Sequence, residues 1–284
     1  MRLIALLFGL TLCLSSPLSA AFAQTPASDA SANIQHTSLS APDGRLIDVS
    51  IWPAVQERGV VVFSHGLNSS PEPYNRILKA WADHGYTVVA PLHVDSLRHP
   101  DHARYDNRAA FSARITDLAV VRGYVGNAHQ GKPVIAAGHS FGSLLSLISA
   151  GAVTAAGPMG DPSVKGVIAF SSAGDLPGLV NPQTYTTMAT PLLMITGDAD
   201  IVPGFVSDWT QHRSPFDRSP AGDKYLMVVD GGNHELVARS DDAIFTLMEN
   251  ATETFLDAYG LEDETAKQKL TTLPMPDHVT WERR

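Results

Sequence analysis

Ser140 lies at the centre of Gly138-His139-Ser140-Phe141-Gly142, a G-x-S-x-G pentapeptide. An apolar, strand-like run over 133–137 precedes it and a helix-like run over 143–150 follows. At such a junction the serine is held in a strained backbone conformation that turns its hydroxyl out of the sheet. Small residues two positions to either side let neighbouring backbone pass close by. The new helix aims its first N–H groups at negative charge developing beside the serine. The chemistry this suits is attack by Ser140 on an acyl carbon. A free serine hydroxyl is too weak a nucleophile for that at neutral pH and needs a base.

Two later segments offer partners. His234 ends Asp230-Gly231-Gly232-Asn233-His234, directly after an apolar run at 225–229. An imidazole changes protonation easily near neutral pH, as a group that is first base and then acid must. Asp200 lies in Gly197-Asp198-Ala199-Asp200-Ile201-Val202-Pro203, after the apolar run at 192–196. A carboxylate there can accept the Nδ1–H of His234 and hold its tautomer. Asp198 is the alternative acid. Being nearer the strand, it is expected to bond its own turn. An earlier run, Val60-Val61-Val62-Phe63, ends at Ser64-His65-Gly66-Leu67. The backbone N–H groups of Leu67 and Phe141 are the expected oxyanion donors. His65 is expected to brace that loop.

The elements that must position these residues read as an α/β fold. Strand-like runs at 36–39 and 46–52 flank the turn sequence Pro42-Asp43-Gly44 and predict an antiparallel hairpin at one edge. Further strands are expected at 60–63, 87–92, 133–137, 164–170, 192–196 and 225–229. Helices are expected at 74–84, 110–127 and 242–259. Short apolar strands alternating with helices imply a mostly parallel sheet covered on both faces. Sites in such sheets gather at the carboxyl ends of the strands, which is where the four features above fall. The segment 171–191 is too short for a large lid. The tail from Leu261 to Arg284 is polar and is expected to pack along the surface.

The chain order Ser, Asp, His is that of the α/β-hydrolases. The sequence resembles that superfamily over nearly all of residues 34–284. Within it, the edge hairpin, Ser64-His65-Gly66, GHSFG, GDADIVP and GGNH resemble the lidless branch of dienelactone hydrolases, platelet-activating-factor acetylhydrolases and cutinase-like enzymes. Ser140 stands where dienelactone hydrolases proper carry a cysteine. The resemblance implies one α/β-hydrolase domain over 34–284 that cleaves small-molecule carboxylic esters through an acyl-enzyme. It implies no metal and no organic cofactor. An amidase, thioesterase or lactonase would use the same three side chains, and a non-catalytic binding protein on this fold is a further reading.

Composition bounds the rest. The chain has 284 residues, 44% hydrophobic and 17% charged, which is ordinary for a protein with a buried core. Its net charge of −9 and the lack of a basic patch argue against a nucleic-acid partner. A basic start, an apolar run over 3–14 and Ala21-Phe22-Ala23 read as a signal peptide over 1–23. A leader over 24–33 would follow. The expected product is periplasmic or secreted, without a stable membrane anchor. The single cysteine, Cys13, would leave with the signal.

Several polar clusters compete for attention. His93, Asp95, His99, Asp101 and His102 crowd one short segment, expected to be a polar loop at the rim of the site rather than a metal cluster. Trp209, Gln211, His212 and Phe216 are expected to pack a helix, with a pocket wall as the alternative. Asp83, Arg114, Asp117 and Arg122 read as helix-surface charges or local ion pairs.

Overall fold

The structure is a computed structural model and describes residues 34–284. The expected signal peptide and leader, 1–33, lie outside the described residues. Along the chain run β1 (Gln35–Ser40), β2 (Leu46–Trp52), β3 (Gly59–Ser64), α1 (Asn75–Asp83), β4 (Tyr86–Pro91), α2 (Asn107–Ala128), β5 (Val134–Ser140) and α3 (Phe141–Ser149). Then come β6 (Val164–Ser172), β7 (Leu192–Gly197), α4 (Ser214–Arg218), β8 (Lys224–Val229), α5 (Leu236–Arg239), α6 (Asp242–Phe255), α7 (Glu264–Thr271) and β9 (Val279–Arg283).

The strands form one sheet in the order β1-β2-β4-β3-β5-β6-β7-β8-β9. The six strands from β4 to β8 are parallel, and β1, β2 and β9 join the edges in antiparallel pairs. This is the expected mostly parallel sheet with an antiparallel hairpin at one edge. The order reverses after β3, whose two neighbours, β4 and β5, both come later in the chain. The carboxyl ends of β3 and β5 therefore flank a topological switch point, where crevices form in open sheets.

Side-chain alternation explains why the central runs are apolar throughout. On β3, Val61 and Phe63 face the core formed with α1 and α6, while Val60 and Val62 face the core formed with α2 and α3. On β5, Ile135 and Ala137 take the first side and Ala136 the second. A strand buried on both faces has no polar face to show.

Two expectations are corrected. The tail past Leu261 is not merely draped on the surface. It forms α7 and then β9, which pairs antiparallel with β8 from Tyr225↔Arg283 to Val229↔Val279. Ala266, Leu270, Leu273 and Val279 are buried, and Trp281 stacks on Tyr225. These few anchors are too widely spaced to give a clear period in a polar sequence. The second correction concerns α2. Arg114 and Asp117 are fully buried, not surface charges, and their partners come from distant loops. Asp83 does pair locally, with Lys79, and Arg122 pairs with Asp161.

The tightest point of the fold is where β3 meets the start of α3. A Cβ on Gly142 would stand 1.9 Å from the Ser64 carbonyl oxygen and 2.6 Å from that of His65. Both are backbone atoms that cannot swing aside. Gly123, on the exposed side of α2, has nothing within 4 Å of the same position. Gly142→Ala should therefore lower stability by at least about 3 kcal/mol or abolish folding. Gly123→Ala should raise it by about 0.5–1 kcal/mol. Urea midpoints of the two variants check this, and similar midpoints would refute it.

Candidate active site

Ser140 is the last residue of β5 and has φ 55° and ψ −119°, a left-handed conformation that non-glycine residues rarely adopt. Its neighbours hold it there. The Ser143 hydroxyl donates to the Ser140 carbonyl at 2.7 Å, and the Ser146 hydroxyl donates to the Ala137 carbonyl at 2.7 Å. The side chain is partly exposed and faces a cavity.

The loops after β7 and β8 are joined backbone to backbone. A Cβ on Gly197 would stand 2.1 Å from the Gly232 carbonyl oxygen. Ala199 N–H donates to Gly232 O at 3.0 Å, and Gly231 N–H donates to the Asp198 carboxylate at 2.6 Å. This contact places Asp200 beside His234, whose Nδ1–H donates to Asp200 Oδ1 at 2.8 Å. Asp200 is wholly buried, and Thr196 donates its hydroxyl to the other carboxylate oxygen at 2.8 Å. Asp198 is exposed and serves its own turn. Among the described residues no hydrogen bond joins Ser140 Oγ to His234, although both line the cavity. Such bonds are often open before substrate is bound.

The expected oxyanion donors lie at the same cavity. Phe141 begins α3, so its N–H has no partner within the helix. Among the described residues the Leu67 N–H has no backbone acceptor. The loop that carries Leu67 is braced from below by buried charge. Arg114 donates from Nε and one terminal nitrogen to the two oxygens of Asp95, each at 2.7 Å. Its remaining N–H groups reach the carbonyls of His65 at 2.6 Å and Gly66 at 3.0 Å. His65 is buried and accepts His93 N–H at its Nε2, as a bracing residue would.

Sequence reading missed this brace, because Arg114 and Asp95 lie in different elements and nothing in their spacing links them. Two members of the polar segment after β4, His93 and Asp95, are drawn into it and away from the rim. His93 also links Ser64 Oγ, at 2.9 Å, to Asp117, at 2.9 Å. This second Ser-His-Asp chain imitates a catalytic one. All three side chains are fully buried and none touches the cavity, so it holds the loop and meets no substrate.

A further chain ties the histidine loop to the oxyanion loop. His139 donates from Nε2 to the His234 carbonyl at 2.8 Å and accepts the Tyr74 hydroxyl at Nδ1, at 2.9 Å. Tyr74 in turn accepts Gly66 N–H at 3.3 Å. The cavity above these groups has a volume of about 1360 Å³. Leu67, Phe111, Phe141, Leu176, Leu179 and Val206 give it apolar walls, and its charged side chains are Arg108, Glu235 and Arg239. Leu176 and Leu179 come from the segment after β6 that the sequence marks as too short for a large lid.

Known proteins carry the same scaffold. The sequence profile described as serine aminopeptidase, S33, matches residues 55–188. Esterase 2 of Thermogutta terrifontis in its apo form superposes with a TM-score of 0.63 at 15% identity, covering 81% of this chain and 96% of that one. The described residues have the α/β-hydrolase fold. An α-β serine hydrolase homologue from Coxiella burnetii gives 0.58 at 20% identity, over 76% and 94% of the two chains. The esterase domain of a Rhodothermus marinus protein gives 0.57 at 15%, over 80% and 98%. No curated sequence relative matches.

The electrostatics of the site divide the buried histidines into two kinds. Burial and the nearby His234 push His139 down to about 3. Burial and the Arg114 charge also lower His65 and His93. His212 behaves in the opposite way. Burial alone would lower it, but the hydrogen bond and charge of Asp200 raise it. Asp200 is itself raised by burial, yet the hydrogen bonds from His212 and His234 hold it well below the usual carboxylate range. Asp200, His212 and His234 bring one potential ligand atom each within 4.8 Å of one another. Two imidazoles hydrogen-bonded to one carboxylate account for that closeness.

The neutral histidines set a pH dependence. Between about 3 and 6.5, an unfolded chain binds the proton that folded His139 refuses. That contribution to stability is present at neutral pH and is lost as the pH falls through this window. His65 and His93 add to it in the same direction, whereas His212 alone would lose stability as the pH rises through its raised value. The urea midpoint should be clearly lower at about pH 4.5 than at about pH 7. A flat profile would contradict the neutral assignment of these rings.

Proposed function

We propose that this chain is a serine hydrolase that cleaves carboxylic esters of small molecules through an acyl-enzyme. The observation that carries this reading is the 2.8 Å bond from His234 Nδ1 to a wholly buried Asp200, at a cavity that also receives the strained Ser140. With Nδ1–H committed to Asp200, the Nε2 of His234 carries the lone pair that can take a proton. In the proposed cycle His234 takes the Ser140 proton as the hydroxyl attacks the ester carbonyl. The Leu67 and Phe141 N–H groups hold the oxyanion. His234 then protonates the departing alcohol, and water activated in the same way releases the acid. Asp200 remains ionised throughout and orients the ring.

Ester rather than amide substrates are favoured by the largely apolar cavity walls and by the esterases among the structures of the same fold. The serine aminopeptidase profile keeps amide cleavage as the second reading. The cavity exceeds the roughly 300–1,000 Å³ of ordinary small-molecule sites, which supports acyl or alcohol groups larger than acetate.

Hydrolysis of p-nitrophenyl acetate, butyrate and octanoate tests the proposal. Ser140→Ala should lower turnover about a million-fold with unchanged folding by circular dichroism, and Asp200→Asn should lower it about ten-thousand-fold. Thermogutta esterase 2 is phosphorylated by paraoxon. The same reagent should leave one diethylphosphoryl adduct here, on Ser140, detectable by mass spectrometry. Ester turnover that survives Ser140→Ala would overturn the assignment, and activity confined to anilides would select the amide reading.

We also propose export, from the pattern of residues 1–23. N-terminal sequencing of protein recovered outside a bacterial cytoplasm should begin at Gln24, and retention of Met1 would refute it.

A further inference from the structure

His212 lies on a single tight helical turn, Trp209–Arg213, behind Asp200 and away from the cavity. It is fully buried. Its Nδ1 meets the Ser172 carbonyl oxygen, and its Nε2 meets Asp200 Oδ1 at 3.0 Å and the Asp200 carbonyl at 3.0 Å. All three partners are acceptors. A neutral imidazole has one N–H and one lone pair. In either tautomer a lone pair would therefore face an oxygen lone pair in a site that water does not reach, which is strongly unfavourable. Only the ring with both nitrogens protonated satisfies every contact. Turning the ring over would lose both bonds.

We propose that His212 is a permanently charged second histidine on Asp200, a positioning residue that keeps His234 free to act as a base at lower pH. The inference rests on His234 being the base of the proposed reaction. The Asp200 carboxylate is already paired with one imidazolium before His234 takes a proton. The rings of His212 and His234 stack with centroids 5.9 Å apart, so a proton on His234 meets a like charge close by. Of the other titratable groups around His234, His139 lies at 4.6 Å between ring centroids and is neutral, and Glu235 lines the same cavity. The charged neighbours of His212 in sequence turn elsewhere. Arg213 pairs with Asp217 and Glu282, and Arg218 pairs with Asp175. The raised protonation equilibrium of His212 agrees with the geometry.

His212→Gln tests the idea, because the amide can still donate to Asp200 but carries no charge. The acid limb of the kcat/KM profile should move to higher pH by about one unit. A uniform loss across all pH values, with the limb unmoved, would reduce His212 to a structural role and overturn the proposal. A second measurement needs neither activity nor the variant. In the 15N-labelled protein carrying Ser140→Ala, the His212 ring should show two protonated nitrogens at about pH 8, where free histidine is neutral. A bare ring nitrogen on His212 would overturn the proposal even if ester cleavage were confirmed. Two protons on that ring, in a protein that cleaves no ester, would leave the charge assignment standing and overturn only the functional reading.

Discussion

The site depends on a backbone contact with no room for a side chain, where Gly142 lies against the carbonyls of Ser64 and His65. That contact fixes the end of β3 relative to the elbow after β5. The two expected oxyanion donors, Leu67 and Phe141, belong to those two elements. Their separation is thus set by main chain, which does not change rotamer. Gly138 and Gly142 are small because three stretches of backbone cross there. The strain at Ser140 persists because the crossing over-determines it.

Holding a loop by its carbonyls needs donors beneath it, and Arg114 supplies them. Its guanidinium is out of water and would be costly there alone, yet Asp95 satisfies it on one side and two loop carbonyls on the other. Such a pair contributes little net stability, but losing one partner would leave the other buried and unpaired. The buried Ser64-His93-Asp117 chain extends the same brace. Its likeness to a catalytic relay shows why residue types alone do not define a site. Access to a cavity separates the two relays.

On the other side of the elbow, Gly197 against Gly232 does for the acid and the histidine what Gly142 does for the oxyanion loop. It brings the turns after β7 and β8 together closely enough for a 2.8 Å bond. Asp200 then serves two imidazoles at once. One faces the cavity. The other is locked between acceptors and holds its charge. The same carboxylate thus has one partner at the cavity, which the proposed cycle uses as its base, and one behind it that keeps the acid ionised.

The sequence by itself determined the parts of this protein governed by local rules. Strand β2 matches its sequence run over Leu46–Trp52, and most other core elements lie within a few residues of their predicted bounds, because apolar runs and turn residues act over short distances. The elbow was legible because a strand, a G-x-S-x-G and a helix adjoin one another in the chain. Asp200 and His234 could be singled out because each ends an apolar run, yet only the sheet order brings them together. Tertiary structure alone decided the rest. Strand β9 forms because β8 offers an open edge, not because Val279–Arg283 is a strong strand sequence. Arg114 and Asp117 read as surface charges of a helix, and His212 as one more packing residue of a short helix. Their roles come from partners 12 or more positions away, which is beyond the reach of any periodicity. Charge burial is a property of three-dimensional packing, and in this chain it governs both the loop brace and the proton chemistry.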